Sequence, residues 1–108
     1  MNVVPTENTG LVALIVLTVR PENQQTLLDT IRSAGDPAKV PGLRAVTLLR
    51  GLDGTQVINQ MNWASKEAFD EARAHLPMIK NTRAEVLRLV ESATTTLYEV
   101  TSLTDQPD

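Results

Sequence analysis

Asp53-Gly54-Thr55-Gln56-Val57-Ile58-Asn59-Gln60-Met61-Asn62-Trp63-Ala64-Ser65-Lys66-Glu67-Ala68-Phe69 sets a turn, a strand, the only tryptophan and a helix start in one unbroken run. Asp-Gly supplies the positive-φ residue of a tight hairpin turn. Beyond it, strict alternation assigns Val57, Asn59, Met61 and Trp63 to one strand face and Gln56, Ile58, Gln60 and Asn62 to the other. The first face is apolar but for one amide. An Asn among Val, Met and Trp must find a hydrogen-bond partner, in the protein or in a bound ligand. Ser65 is a good N-cap for the helix that follows, whose Ala68, Phe69 and Ala72 share one side.

Upstream, Leu43 to Arg50 pairs with Thr55 to Trp63 as a hairpin across Gly51 to Gly54. Leu11 to Arg20 is β-branched and apolar on both faces, the pattern of a central strand covered on both sides. Pro21 fits the first position of a helix with Leu27, Leu28 and Ile31 as its apolar stripe and Gly35 at its end, and Asp36 to Pro41 is a loop. Downstream, Pro77 interrupts the helix. A second helical segment, about Ile79 to Glu91, turns Ile79, Val86, Leu87 and Val90 inward and Lys80, Arg83, Glu85 and Arg88 outward. Thr94 to Leu103 is a last, β-rich strand.

The order β-α-β-β-α-β predicts an α+β, ferredoxin-like sandwich with an antiparallel sheet. One domain is expected over residues 11–103, with flexible polar tails at 1–10 and 104–108. Helices cover only one sheet face, yet Val12, Leu14 and Val16 make the other face of the first strand apolar too. Pairing with a second copy, sheet on sheet, is the economical cover, so a homodimer is expected.

The 108 residues, 42% hydrophobic and 3% aromatic, suffice for a single core packed by Leu, Val, Ile and Ala. A net charge of -3 provides no electrostatic footprint for nucleic acid. With no Cys and one His, neither a disulfide framework, a thiolate nucleophile nor a zinc cluster can be assembled, and no metal site is expected. The Leu11 to Val19 run is about half the roughly 20 residues of a membrane span, and the residues before it lack a cationic signal start. No membrane association is expected, and a cytoplasmic location follows by default.

Taken together, Pro41-Gly42-Leu43 entering the second strand and the pattern of Asp53, Gly54, Thr55, Val57, Asn59, Trp63, Ser65, Glu67, Ala68 and Phe69 resemble the antibiotic biosynthesis monooxygenase family, small dimeric α+β barrel proteins. Within that family the chain is most similar to cofactor-free monooxygenases that oxidise polycyclic aromatic polyketides to quinones. That branch has an Asn and a Trp contacting substrate at the places of Asn59 and Trp63, and a Tyr where this chain has Phe69. The resemblance implies that a phenol or anthrone loses a proton, its anion reduces dioxygen, and the resulting peroxide loses water. No cofactor is implied. A haem-degrading branch uses an Asn on the first strand, a Trp near the place of Ala72 and a His near that of Thr82. None of these is present, so the resemblance disfavours haem.

The resulting expectation is a homodimeric, cofactor-independent oxygenase of a small apolar aromatic molecule, with dioxygen as co-substrate. Asn59 orients the substrate oxygen, Trp63 packs against the rings or anchors the core, and Met61, Phe69 and Tyr98 contact substrate. Tyr98 could aim its phenol at a cavity or at the barrel interface. His75, just before Pro77, is the only side chain with an unperturbed pKa near neutrality and is the conditional general base; solvated or structural, it is an ordinary surface His. Arg44 and Arg50 suit a dimer contact or solvent. The rival expectations are a non-catalytic ligand-binding or accessory protein on the same fold, and a polyketide cyclase or isomerase.

Overall fold

The computed structural model describes residues 10–101. The expected tails fall almost wholly outside that span. The chain runs β1 (Leu11–Thr18), a 3-10 turn (Pro21–Asn23), α1 (Gln24–Arg32), a second 3-10 turn (Pro37–Lys39), β2 (Leu43–Arg50), β3 (Gln56–Trp63), α2 (Lys66–His75), α3 (Pro77–Leu89) and β4 (Ser92–Glu99). The four strands form one antiparallel sheet in the order β2-β3-β1-β4, the ferredoxin-like arrangement.

Local chemistry sets the joints. In the β2–β3 turn Gly54 takes φ +86°, and its N–H donates to the Gly51 carbonyl at 3.1 Å. Asp53 Oδ1 accepts from the Thr55 N–H at 2.9 Å and from its hydroxyl at 2.8 Å, which holds the carboxyl below its ordinary pKa. Ser65 caps α2 as expected, accepting the Ala68 N–H at 3.1 Å. One extended residue, Leu76, separates α2 from α3, because proline excludes the α region for the residue before it and then fits the first helical position itself. The helix after the break therefore begins at Pro77, two residues earlier than the periodicity suggests. It ends at Leu89, where the Glu91 N–H donates to the Thr18 carbonyl at 2.7 Å. The last strand starts at Ser92 and ends at Glu99, and Leu103, its expected end, lies outside the described residues.

On the helix-covered sheet face, Ala13, Ile15 and Leu17 of β1 stand opposite Met61, Asn59 and Val57 of β3. Two buried clusters pack there. Ala13, Val40, Met61, Trp63, Phe69 and Ala72 form one, and Leu17, Val19, Leu27, Leu28, Val57 and Val86 the other. Buried Gln24 ties α1 to the hairpin, donating to the carbonyls of Gly51 (2.9 Å) and Gln56 (3.1 Å) and accepting from Arg50 Nη1 (3.3 Å). At the β2 entrance Gly42 has φ +81°, and a β-carbon there would collide with that of Ala68. Strand and helix thus meet at a point only glycine fits.

No described element lies over the opposite sheet face. There Val12, Leu14 and Val16 are half-buried by their neighbours alone, while Leu49 and Tyr98 are 44% and 47% exposed. Among the described residues, no helix is long and apolar enough to cross a membrane.

Candidate functional site

The two core clusters part at one row across the sheet, made by Leu48, Asn59, Ile15 and Thr95 in register on β2, β3, β1 and β4. A cavity of about 230 Å³ opens against this row. Its sheet wall includes Ile15, Leu17, Val46, Asn59, Met61, Trp63 and Thr95. The helix layer supplies Phe69 and Arg73 from α2, and Met78, Ile79, Thr82, Arg83, Val86 and Leu87 from α3. The lining is overwhelmingly apolar, with a few polar groups at discrete points, the general make-up of a small-molecule site. At below the roughly 300–1,000 Å³ of most ligand pockets, it suits a compact ligand.

Two lining residues carry a buried polar atom without a hydrogen-bond partner among the described residues: the Asn59 side-chain oxygen and the Trp63 indole N–H. Such atoms are rare in folded proteins because each forfeits its hydration with nothing in return. Four residues apart on one strand, they belong to positions about 13 Å from each other. The Trp63 ring is 1% exposed and meets Phe69 edge to face, centroids 5.7 Å apart at 77°. Its packing role is thus evident, and its N–H is left over. The Arg73 guanidinium lies 5.3 Å from the centre of the Phe69 ring. Burial, and then the neighbouring positive charge of Arg83, pull the Arg73 pKa below its ordinary value, against a smaller opposing effect of Asp70.

Of the residues singled out in the sequence, Asn59, Met61, Trp63 and Phe69 come together on this cavity, and His75 and Tyr98 do not. His75 is exposed beside a separate surface depression with Pro41, Gly42, Glu71 and Leu76. Six residues beyond Phe69, it stands about 120° round the helix from that side chain. His75, expected as the conditional general base, thus stands apart from the cavity that Asn59 and Trp63 line. Tyr98 pairs with Val12, whereas its neighbour Leu97 pairs with Ala13 on the helix-covered face, so Tyr98 lies on the open face. Of the two places expected for its phenol, a cavity or the barrel interface, the open face is away from the cavity of its own chain.

Sequence reasoning did not place Arg73, Arg83, Thr82 or Thr95 at the site. Arg73 was legible as the residue one helical turn beyond Phe69. Arg83 reads as a solvent-facing residue and is exposed, yet it borders the cavity. Leu87, expected inward, is 47% exposed at the same border. Among the described residues, neither carboxylate nor imidazole lines the cavity, and no group of three or more His, Cys, Asp or Glu side chains could hold a metal ion.

Fold and cavity define the class, a ferredoxin-like α+β protein with an apolar chamber between its helix layer and its sheet. The chain belongs to the antibiotic biosynthesis monooxygenase family, whose model matches residues 10–95. Among solved structures it is similar to ActVA-Orf6, a monooxygenase from Streptomyces coelicolor in complex with nanaomycin D, at 21% identity, 94% of this chain, 95% of that chain and a TM-score of 0.78. SnoaB, a cofactor-independent oxygenase from Streptomyces nogalater, is 22% identical over 93% of this chain and 99% of its own, with a TM-score of 0.69. Rv0793 from Mycobacterium tuberculosis is also 22% identical, covering 93% of this chain and 100% of its own at a TM-score of 0.72. At these identities the likeness is one of fold. No curated protein sequence matches the chain.

Proposed function

We propose that the protein is a cofactor-independent oxygenase of a compact fused-ring phenol, anthrone or related quinone precursor, working as a homodimer. The carrying observation is the pair of unpartnered buried polar atoms, on Asn59 and Trp63, in residues that line one apolar cavity. A ligand oxygen can accept from the Trp63 indole, and the Asn59 amide can offer its oxygen or, after a half-turn, its N–H₂ group. In the reaction the substrate loses a proton from carbon, and its anion passes electrons to dioxygen. A carbon–peroxide bond forms, and loss of water leaves a carbonyl. One oxygen atom ends in the product and the other in water, the substrate supplying all the electrons. The protein binds the ring system and stabilises the developing enolate oxygen through fixed donors. ActVA-Orf6 and SnoaB, an oxygenase pair on this fold, support the reading. The open sheet face with Leu14 at its centre supports the dimer.

Oxygen uptake with a dihydroxyanthrone tests the proposal. Asn59→Ala should lower turnover by an order of magnitude or more, since losing an oxyanion donor costs about 2.7–4 kcal/mol. One observation favours a second reading, a ligand-binding accessory protein: among the described residues, no side chain lining the cavity is a carboxylate or imidazole that could take the substrate proton. Unchanged oxygen consumption with and without the protein would put that reading first.

A further inference from the structure

We propose that the ligand of this cavity carries a carboxylate on its aromatic ring system and that Arg73 and Arg83 together bind it at the cavity's outer edge. The inference rests on the reading of the cavity as the ligand site and adds the chemistry of one substituent.

Arg73 comes from the last turn of α2 and Arg83 from the middle of α3, and both line the same chamber. They are close enough for the charge of one to disfavour that of the other. Among the described residues Arg20 pairs with Glu91, Arg32 with Asp29, Lys66 with Asp70 and Arg88 with Glu85, all within 4.0 Å. Neither Arg73 nor Arg83 has such a partner among the described residues. Arg73 is moreover half-buried, with its guanidinium carbon over the Phe69 ring, 5.3 Å from the ring centre. Two like charges, one of them partly desolvated, form an unfavourable arrangement in the empty protein that an anion relieves.

The rest of the chamber fixes what the anion is attached to. Its interior is walled by Ile15, Val46, Met61 and Val86, so an inorganic anion would leave apolar surface unfilled, and an uncharged hydrocarbon would desolvate Arg73 further without pairing it. A flat apolar body with one planar anionic group satisfies both halves. The guanidinium fork matches a carboxylate through parallel N–H···O bonds. Depth separates this role from that of Asn59 and Trp63, whose polar atoms are fully buried whereas Arg83 is exposed.

Calorimetric titration of the full chain with anthraquinone-2-carboxylate and with anthraquinone-2-carboxamide, an uncharged ligand of nearly the same shape, tests the proposal. The carboxylate should bind at least about tenfold more tightly, the gain of one charge-assisted contact. Arg73→Gln and Arg83→Gln should each erode that ratio and leave carboxamide affinity in place. Arg83 is exposed, so its replacement keeps the test valid even if Arg73→Gln disturbs the Phe69 packing. Equal binding of the two ligands by the unmodified protein would overturn the inference and leave the cavity reading standing, as would a preference that survives in the double variant. Binding of neither ligand would remove the cavity reading and this inference with it.

Discussion

Replacing Asn59 by leucine should make the empty protein more stable while removing its activity. The Asn59 oxygen is buried without a partner among the described residues, and its surroundings on the sheet are Val57 and Met61 along the strand and Ile15 and Leu48 across it. An orphaned buried polar group costs roughly 1–3 kcal/mol, and a leucine of similar shape abolishes that cost and adds apolar contact. In a domain of this size each kcal/mol moves the melting temperature by about 4–8 °C, so Asn59→Leu should melt at least about 4 °C above the unmodified protein. The assay is thermal unfolding followed by circular dichroism at one fixed protein concentration, because association makes a melting temperature concentration-dependent. Oxygen uptake with the anthrone, measured on the same samples, should fall. Stability gained with function lost is the signature of a polar group kept for a ligand. An equal or lower melting temperature for Asn59→Leu would refute the reasoning, since it would mean that the amide is partnered in the folded protein and serves structure.

Gly42→Ala should lower the unfolding free energy by at least the roughly 1–3 kcal/mol of an overpacked site, read as a lower urea midpoint at unchanged m-value, because its β-carbon meets that of Ala68 and φ there is +81°. Gln24→Leu should cost only about 1 kcal/mol in the same assay. The Gly51 and Gln56 carbonyls each keep a backbone donor, from Gly54 and Gly51 respectively. Sedimentation velocity at low micromolar concentration should find a dimer, and Leu14→Lys at the centre of the open sheet face should dissociate it. A monomer for the unmodified chain would count against the dimer.

The sequence by itself determined the order of elements, the hairpin and the face assignments of β3, because these rest on local rules. Asp53-Gly54 can turn where other pairs strain, Ser65 caps the helix that begins after it, and alternation from Val57 to Trp63 leaves no freedom about which side chains share a face. It also marked Asn59 as the polar exception, and Asn59 lies in the row where the core divides. Element ends were less legible. The Pro77 break joins two helices with a single residue between them, and the end of β4 depends on its pairing with β1.

Which residues meet across the cavity was decided only by the tertiary structure. In β4, Thr94, Thr95 and Thr96 are equally suited to either face, so only pairing with β1 turns Thr95 toward the helices and Tyr98 away from them. On α2, which packs closely on Gly42 through Ala68, Phe69 and Arg73 line the cavity and His75 lies at the surface. Arg83 reads as one more solvated charge until α3 sets it beside Arg73. Secondary structure follows from interactions between near neighbours in the chain, whereas a site gathers residues such as Asn59, Arg73 and Thr95 from separate elements, whose relative placement is set by packing that no local pattern encodes.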